Sequence, residues 1–471
     1  MKPQSDSPDN RVRVLEFIVL AHVGLLLVGA SWAFGGAAGW ARTLIVGWGS
    51  LSLPLVLFAV RRHAARGQSL SQALLWLCPF AAFALLVLLS SFNPSFSART
   101  FGTQILLAHT GAAHPAWPST VLPATTREHL WLFAAIYLSG FNLVLAIRRR
   151  AVLRTLLLIA VGNAVILSVF GTFQKLTSTG LYFGAIAAPN SRFFATFVYG
   201  NHWAAYVVLL LAACVGMLFY YVRRNADGET SRFPLMLGVV SLLLMAITPL
   251  LAGSRAGTLL VVGLIGIGLV QLTLRIRRRR RLLSGSTAWP LTGLALCVAG
   301  VAGGAIYLGR NAVQERWQDT EEQWRTGLLH ERLSLYADTW HLARERPWFG
   351  WGLGSFATTL QLIRPRPIEP NRQYEHSYVD AHSDWLQSLA EVGFVGTILL
   401  ILSVLGPLLS TRAWKFAGVL PAYLLGGCGL ILLYAGVEFP FANPAVMIAF
   451  WICFFSAIQY VRLSDETRPG P

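Results

Sequence analysis

Apolar runs about as long as a bilayer is thick recur along the whole chain, and clusters of arginine divide them. No other feature constrains the fold as tightly. A helix needs about 20 consecutive apolar residues to cross the hydrocarbon core. By that measure about twelve runs qualify: near 14–34, 40–60, 71–91, 128–147, 151–174, 202–222, 234–252, 256–274, 288–308, 385–410, 417–436 and 440–461. Charged residues are only 13% of the chain, with mean hydropathy +0.56. Soluble chains carry roughly 25%. The sequence therefore predicts an all-α polytopic membrane protein. No cleavable signal peptide is expected, because the start is polar and the first apolar run is long enough to span.

The intervening charges set the topology. Arg11 and Arg13, then Arg61, Arg62 and Arg66, Arg148 to Arg150, Arg223 and Arg224, Arg275 to Arg281, Arg412 with Lys415, and Arg462 all fall on one side. The positive-inside rule makes that side cytoplasmic, with both termini on it. The net charge of +17 is read as loops facing anionic lipid. Nucleic-acid binding is not expected, because no basic surface interleaved with aromatics is visible. Cys78, Cys214, Cys297, Cys428 and Cys453 lie inside apolar runs with no CxxC pair. They read as buried hydrophobes, not a disulfide framework or a metal site.

The opposite side receives three longer connections, 92–127, 175–201 and 309–381. The last divides the chain into a bundle of about nine spans over 1–308, a loop over 309–384 and C-terminal spans over 385–471. A loop of that length should have structure of its own. Trp317, Trp324, Leu328, Leu335 and Trp340 recur at helical spacing, so 312–346 is predicted to be an amphipathic helix. Its aromatics fit either the lipid interface or a substrate groove.

Polar residues on this outer side are the candidates for chemistry. His382 and Ser383 stand where the polar stretch His376 to Asp384 enters an apolar helix, marked by Trp385, Leu386, Leu389 and Val392. At a helix N-terminus the dipole disfavours an imidazolium, which suits a neutral general base. Ser383 and Asp380 are near enough to orient the ring. Arg255, in Gly253-Ser254-Arg255-Ala256-Gly257, lies between two apolar runs, where a charge is costly unless useful or snorkelling. Arg332 and Arg192 are further outer cations. Guanidinium forks suit phosphate oxygens. Several arginines beside lipid therefore suggest a lipid-diphosphate substrate. No carboxylate pair of the kind that holds Mg or Mn in a metal-dependent transferase, no HExxH and no P-loop is found, so no metal or cofactor is expected.

These residues carry a resemblance. His382-Ser383, a run to Val392, then Gly393-Phe394-Val395-Gly396 is similar to the signature of the bacterial O-antigen ligase and polymerase superfamily. The Gly253 to Gly257 turn, Glu331-Arg332 with Trp340, and Pro347 to Phe356 resemble its other landmarks in order. Arg192 to Ala204 resembles its Arg-x-x-Gly-Thr-Phe-x-Asn-x-Asn-x-x-Ala segment, with Ala195 for Gly and His202 after Asn201. The resemblance covers roughly 190–460. It implies a GT-C-like inner-membrane enzyme with a periplasmic site. Such enzymes move a glycan from an undecaprenyl-diphosphate carrier to an acceptor hydroxyl on a glycolipid, glycan or protein, inverting the anomeric carbon without metal. His382 takes the base position and Arg255 the diphosphate position. Arg332, Arg192 and Ser383 are expected to bind substrate, and Gly393 and Gly396 to pack. The alternative class is a transporter of a small anion or polysaccharide. It would show spans broken in matched halves and polar groups at the midplane.

The topology is directly testable. Cysteines introduced singly at Gln361 and Ser284 should label from opposite faces of the membrane. Labelling from one face would remove the outward site altogether.

Overall fold

The computed structural model describes residues 8–65, 71–101, 104–111, 113–114, 116–177, 180–188, 192–226, 231–280, 328–363, 378–411 and 418–465. The expected span at 288–308, Cys297, Trp317, Trp324 and the whole of 309–327 lie outside these residues.

Among the described residues, ten helices are long and apolar enough to cross a membrane. In chain order the helices are α1 (Pro8–Trp32), α2 (Gly39–Ser50), α3 (Ser52–Ala65), α4 (Ser71–Ser91), α5 (Pro123–Ala146), α6 (Arg150–Leu176), α7 (Gly200–Ala226), α8 (Phe233–Ala246), α9 (Thr248–Leu251), α10 (Arg255–Arg280), α11 (Leu328–Glu345), α12 (Phe356–Ile363), α13 (Asp384–Ser410), α14 (Val419–Tyr434) and α15 (Pro444–Asp465). The span expected at 40–60 is α2 and α3, which meet at Leu51. The run at 417–436 forms the shorter apolar helix α14. Two hairpins accompany the helices, and the apolar periodicity gave no sign of them. They are β1 (Phe96–Phe101) with β2 (Gln104–His109), and β3 (Leu181–Tyr182) with β4 (Ile186–Ala187), both antiparallel.

Burial sorts the helices. In α15 94% of the apolar window is covered by protein, in α7 78% and in α5 72%, whereas α10 has 17%. So α5, α7 and α15 form the centre, and α10 faces outward. Lipid tails are as apolar as leucine, so close packing has to hold such helices together. Small residues permit it: a Cβ on Gly427 of α14 would lie 2.7 Å from Ala212 of α7, and one on Gly140 of α5 would lie 3.0 Å from Trp451 of α15. A buried polar knot adds direction. Asn163 donates to Ser31 Oγ (2.8 Å) and to the Tyr206 hydroxyl (3.0 Å), and accepts from Trp32 Nε1 (2.9 Å), tying α1, α6 and α7.

The two ends of the bundle differ. At one end, buried Glu16 accepts from the Arg148 and Arg149 amides and pairs with Arg149 Nε at 2.6 Å. There too Arg150 lies over Tyr460, Arg154 over Tyr220 and Arg275 over Phe219. The basic clusters thus gather at this end. The hairpins, α11, α12 and His382 occupy the other.

At that second end α13 is not continuous. Gly393 has φ 65° and ψ −171°, a region open to glycine alone. The break frees helix backbone, and the segment 347–352 takes it up. Trp351 N–H donates to the Ala390 carbonyl (2.9 Å) and Gly352 N–H to Glu391 (2.7 Å). In return Phe394 N–H donates to Pro347 (2.7 Å) and Val395 N–H to Trp348 (3.1 Å). A Cβ on Gly393 would overlap the Trp348 carbonyl. The expectation that Gly393 is a packing residue is therefore corrected: it breaks a membrane helix so that an outer loop can be stitched into it. Glu391 completes the joint, accepting from the Gly354 (2.8 Å) and Phe356 (3.2 Å) amides at the start of α12.

Gly393→Ala should therefore destabilise by more than the ~1–3 kcal/mol of backbone strain alone. Gly263→Ala, on α10 with open space around the site, should be neutral or slightly stabilising. Melting of the two purified variants in detergent compares them directly. Parental melting of Gly393→Ala would show that the break is dispensable.

Candidate functional site

The site is built where α13 begins. Ser383 is its N-cap, with its hydroxyl accepting from Leu386 N–H at 3.4 Å and donating to the Ala435 carbonyl at 3.5 Å. It is 1% exposed. The residue before it, His382, is forced to φ 53°, a left-handed conformation that costs a non-glycine residue about 1–3 kcal/mol. Three contacts hold it there. The Tyr336 hydroxyl of α11 donates to the His382 carbonyl (3.1 Å). Asp384 N–H donates to the Glu438 carbonyl (3.2 Å), and Asp384 Oδ2 accepts from Phe441 N–H (2.9 Å). The turn 438–443 between α14 and α15 therefore grips the start of α13 from below.

This grip puts the imidazole against Glu438 and Phe439. The ring stands edge-on to Phe439, 4.7 Å between centroids. Its Nδ1 lies 3.9 Å from Glu438 Oε2, and neither atom has a hydrogen-bond partner among the described residues. The other carboxylate oxygen, Oε1, faces Arg332 Nη2 at 3.4 Å. The His382 side chain is 22% exposed and that of Glu438 8%, so the ring opens outward while the carboxylate lies beneath it.

A second wall comes from the segment before α7. Tyr199 stacks on Phe439 at 5.4 Å and its hydroxyl accepts from Asn201 Nδ2 at 2.8 Å. Burial pushes its phenol up to about 12, helped by the Glu438 charge and opposed by Arg332 and Arg192. His202 shares 3.1 Å with the Phe439 carbonyl, which makes its Nε2 the protonated nitrogen. Gly200 explains the convergence: a Cβ there would overlap the Ala252 carbonyl and lie 2.8 Å from that of Arg192. The Arg192 segment, the Ser254-Arg255 turn and the start of α7 thus share one junction. Arg255 is exposed at the first position of α10, and Arg192 is exposed above α7.

Two residues before His382, burial pushes the Asp380 carboxyl above its ordinary range. A hydrogen bond with Gln387 and the charges of His382, Arg42 and His129 oppose the shift. The sequence candidates His382, Arg332, Arg192 and Arg255 therefore all lie at one end of the bundle, around the 438–443 turn. Ser383 is turned inward as a cap. Sequence reasoning gave Tyr199 no role, and read Glu438 only as part of a break at Glu438-Phe439-Pro440 and Asn443-Pro444, with no role in the site. An acid between two apolar runs was the available signal for Glu438. Among the described residues, no group of three or more His, Cys, Asp or Glu is placed to hold a metal ion.

This arrangement offers a partly exposed imidazole backed by a carboxylate, beside several guanidinium groups, at the end of a membrane bundle. It can take a proton from a hydroxyl while an anion is held next to it.

A family model described as O-antigen ligase matches residues 240–401. That stretch includes Arg255, Arg332, the 347–352 segment, His382 and the Gly393 break, and leaves out Arg192, Tyr199 and Glu438. No curated protein matches the chain.

The cap can be tested apart from any activity. Ser383→Ala should cost about 1 kcal/mol of stability, whereas Ser383→Asp, which also caps, should restore most of it. Melting in detergent measures both. Equal stability of the alanine variant and the parent would show that the cap does not hold His382 in place.

Proposed function

Membership of the O-antigen ligase superfamily, carried by residues 240–401, is the premise from which we propose an inner-membrane glycan transferase with a GT-C-like fold. It moves a glycan from an undecaprenyl-diphosphate carrier to an acceptor hydroxyl on the periplasmic side. The observation that carries this reading is the strained, outward-open His382 ring, 3.9 Å from the buried carboxylate of Glu438. In a chain whose basic clusters gather at the opposite end, that end is the periplasmic one by the positive-inside rule.

His382 takes the proton of the acceptor hydroxyl. The freed oxygen forms a bond to the anomeric carbon, the bond from that carbon to the diphosphate oxygen breaks, and the electron pair leaves with the diphosphate. Attack from the face opposite the leaving group inverts the centre. Arg255 binds the diphosphate and stabilises the charge growing on it, with Arg332 and Arg192 as further cations for the same anion. Glu438 faces the imidazolium that forms and bridges it electrostatically to Arg332. Tyr336 and Ser383 hold the histidine backbone. No metal enters these steps.

The break in α13 bears on the transporter alternative. In transporters, unwound helix lines a cavity and offers its backbone to an ion. Here the backbone freed at Gly393 is hydrogen-bonded to 347–352. That supports reading the break as a structural joint.

Donor binding and single-turnover transfer by purified, folded variants test the roles. His382→Ala should slow transfer on the order of 10²–10⁴-fold with donor binding retained. Arg255→Ala should weaken donor binding and transfer together, and Arg255→Lys should recover only part because the planar fork is lost. Chelation with EDTA should leave transfer intact. Transfer at the parental rate by His382→Ala would reduce the histidine to a structural residue.

A further inference from the structure

We propose that Arg150, Arg154 and Arg224, set around Tyr220 and Tyr460, form a site for the phosphate of an anionic phospholipid. The site lies at the end of the bundle opposite His382 and does not depend on the transferase reading.

Three helices build it. α6 begins at Arg150, and Arg154 follows one turn later on the same face, about 6 Å further in. α7 brings Tyr220 and Arg224, also one turn apart, at its end. α15 brings the buried Tyr460. The Arg154 guanidinium lies over the Tyr220 ring, 4.7 Å from its centre, and its Nη1 donates to the Tyr460 hydroxyl at 3.2 Å. Arg150 lies over the Tyr460 ring at 5.2 Å. Arg224 lies 5.8 Å from the centre of the Tyr220 ring and donates to its hydroxyl at 3.1 Å. Three cations thus meet on two phenols.

Their surroundings point to an anion. Arg154 is half-buried in a helix of membrane length. A charge there is costly unless it is balanced. Among the described residues no carboxylate pairs with Arg154; its partners are the two phenols. Glu16, a buried acid at this end, is taken by Arg149 at 2.6 Å. Cations gathered on shared rings repel one another, and a phosphate set among them offsets this. The planar guanidinium fork suits its paired oxygens.

The helix surface further in identifies the occupant as a lipid. Counting inward from Arg154, every fourth residue of α6 is Leu158, Gly162 and Ile166. Leu158 and Ile166 are exposed, and a Cβ on Gly162 would meet nothing within 4 Å. An apolar track open to the hydrocarbon therefore runs inward from the cations. A free anion has no use for it. The acyl chain of a phospholipid whose phosphate sits on Arg154 would lie along it. Basic pockets between membrane helices take headgroups in this way. The cluster offers cations and phenols, so the headgroup that fits it bears net negative charge. Such a lipid ties α6 to α7 and α15, and by linkage it stabilises the folded bundle.

The test uses the full-length protein, delipidated in detergent micelles, and three probes. Dioleoyl phosphatidylglycerol is the anionic lipid. Dioleoyl phosphatidylcholine has the same tails and phosphate without the net charge, and inorganic phosphate is the free anion. Titration and the rise in melting temperature read the binding. Phosphatidylglycerol should bind and raise the melting temperature, and the other two should do neither at the same concentration. Arg154→Gln should weaken phosphatidylglycerol binding about tenfold. Arg154→Lys should recover part of it, because the charge stays while the planar fork is lost. Arg224→Gln should weaken it to a lesser degree, and it decides the matter where Arg154→Gln does not fold. Arg277→Gln removes an exposed charge of α10 at the same end and should bind like the parent. The proposal fails if phosphatidylcholine or inorganic phosphate binds as tightly as phosphatidylglycerol, or if folded Arg154→Gln or Arg224→Gln keeps the parental affinity. It fails too if Arg277→Gln weakens binding as much as they do, because the attraction would then belong to the basic end as a whole.

Discussion

A carboxylate held almost out of water at the end of a membrane bundle must be balanced, and Glu438 is the charge around which this end of the protein is arranged. Removing such a group from water costs several kcal/mol unless partners return it. Its two oxygens are turned to different elements, one to Arg332 on α11 and one to His382 before α13. Its backbone carbonyl accepts from Asp384 N–H. One residue in the turn between α14 and α15 therefore fixes the outer helix α11, the start of α13 and the orientation of the imidazole. Phe439 next to it is the apolar floor, touched by Tyr199, His202 and His382.

The same end depends on backbone that is not helical. Non-helical backbone survives at membrane depth only where protein satisfies it. The Gly393 break is closed by 347–352, and the turn at 438–443 by the start of α13. Each joint also places a functional group. The first anchors α12 and the outer loop, and the second holds His382 in a conformation it would not adopt alone. The strain at His382 is retained because both of its neighbours in the chain are tied down, Ala381 by Gln387 and Ser383 by its cap.

How much of this was legible in the sequence depended on the range of the interaction. The spans could be read because hydrophobicity is a local property, and the basic end because arginine clusters are local too. The start of α13 was readable from Ser383 and Asp384 followed by an apolar period. The identity of His382, Arg255, Arg332 and Arg192 as outer polar residues was also readable, and the fold gathers them at one end. Glu438 was not assigned, because its partners are 56 and 106 positions away in the chain (438 − 382 and 438 − 332), and no periodicity links them. The inward turn of Ser383 was hidden as well, since a cap and a ligand look alike in sequence. The β1–β2 hairpin was missed because its residues show no strict alternation. Gly393 was taken for packing, since a glycine that permits close approach and one that permits an unusual dihedral leave the same letter.

The shortness of α14 has a consequence for the lipid around it. Sixteen residues of helix rise about 24 Å, less than the ~30 Å of a typical hydrocarbon core. A span shorter than its bilayer is accommodated by local thinning, by snorkelling of flanking residues or by association with other helices. The turn that follows α14 carries Glu438 and Phe439, so any thinning of the leaflet there would border the site. A long-chain lipid approaching along α14 would find the polar boundary drawn inward. Under the proposed function, its headgroup would meet the arginines without lifting the tail out of the membrane, and the short helix would act as a notch in the bilayer surface.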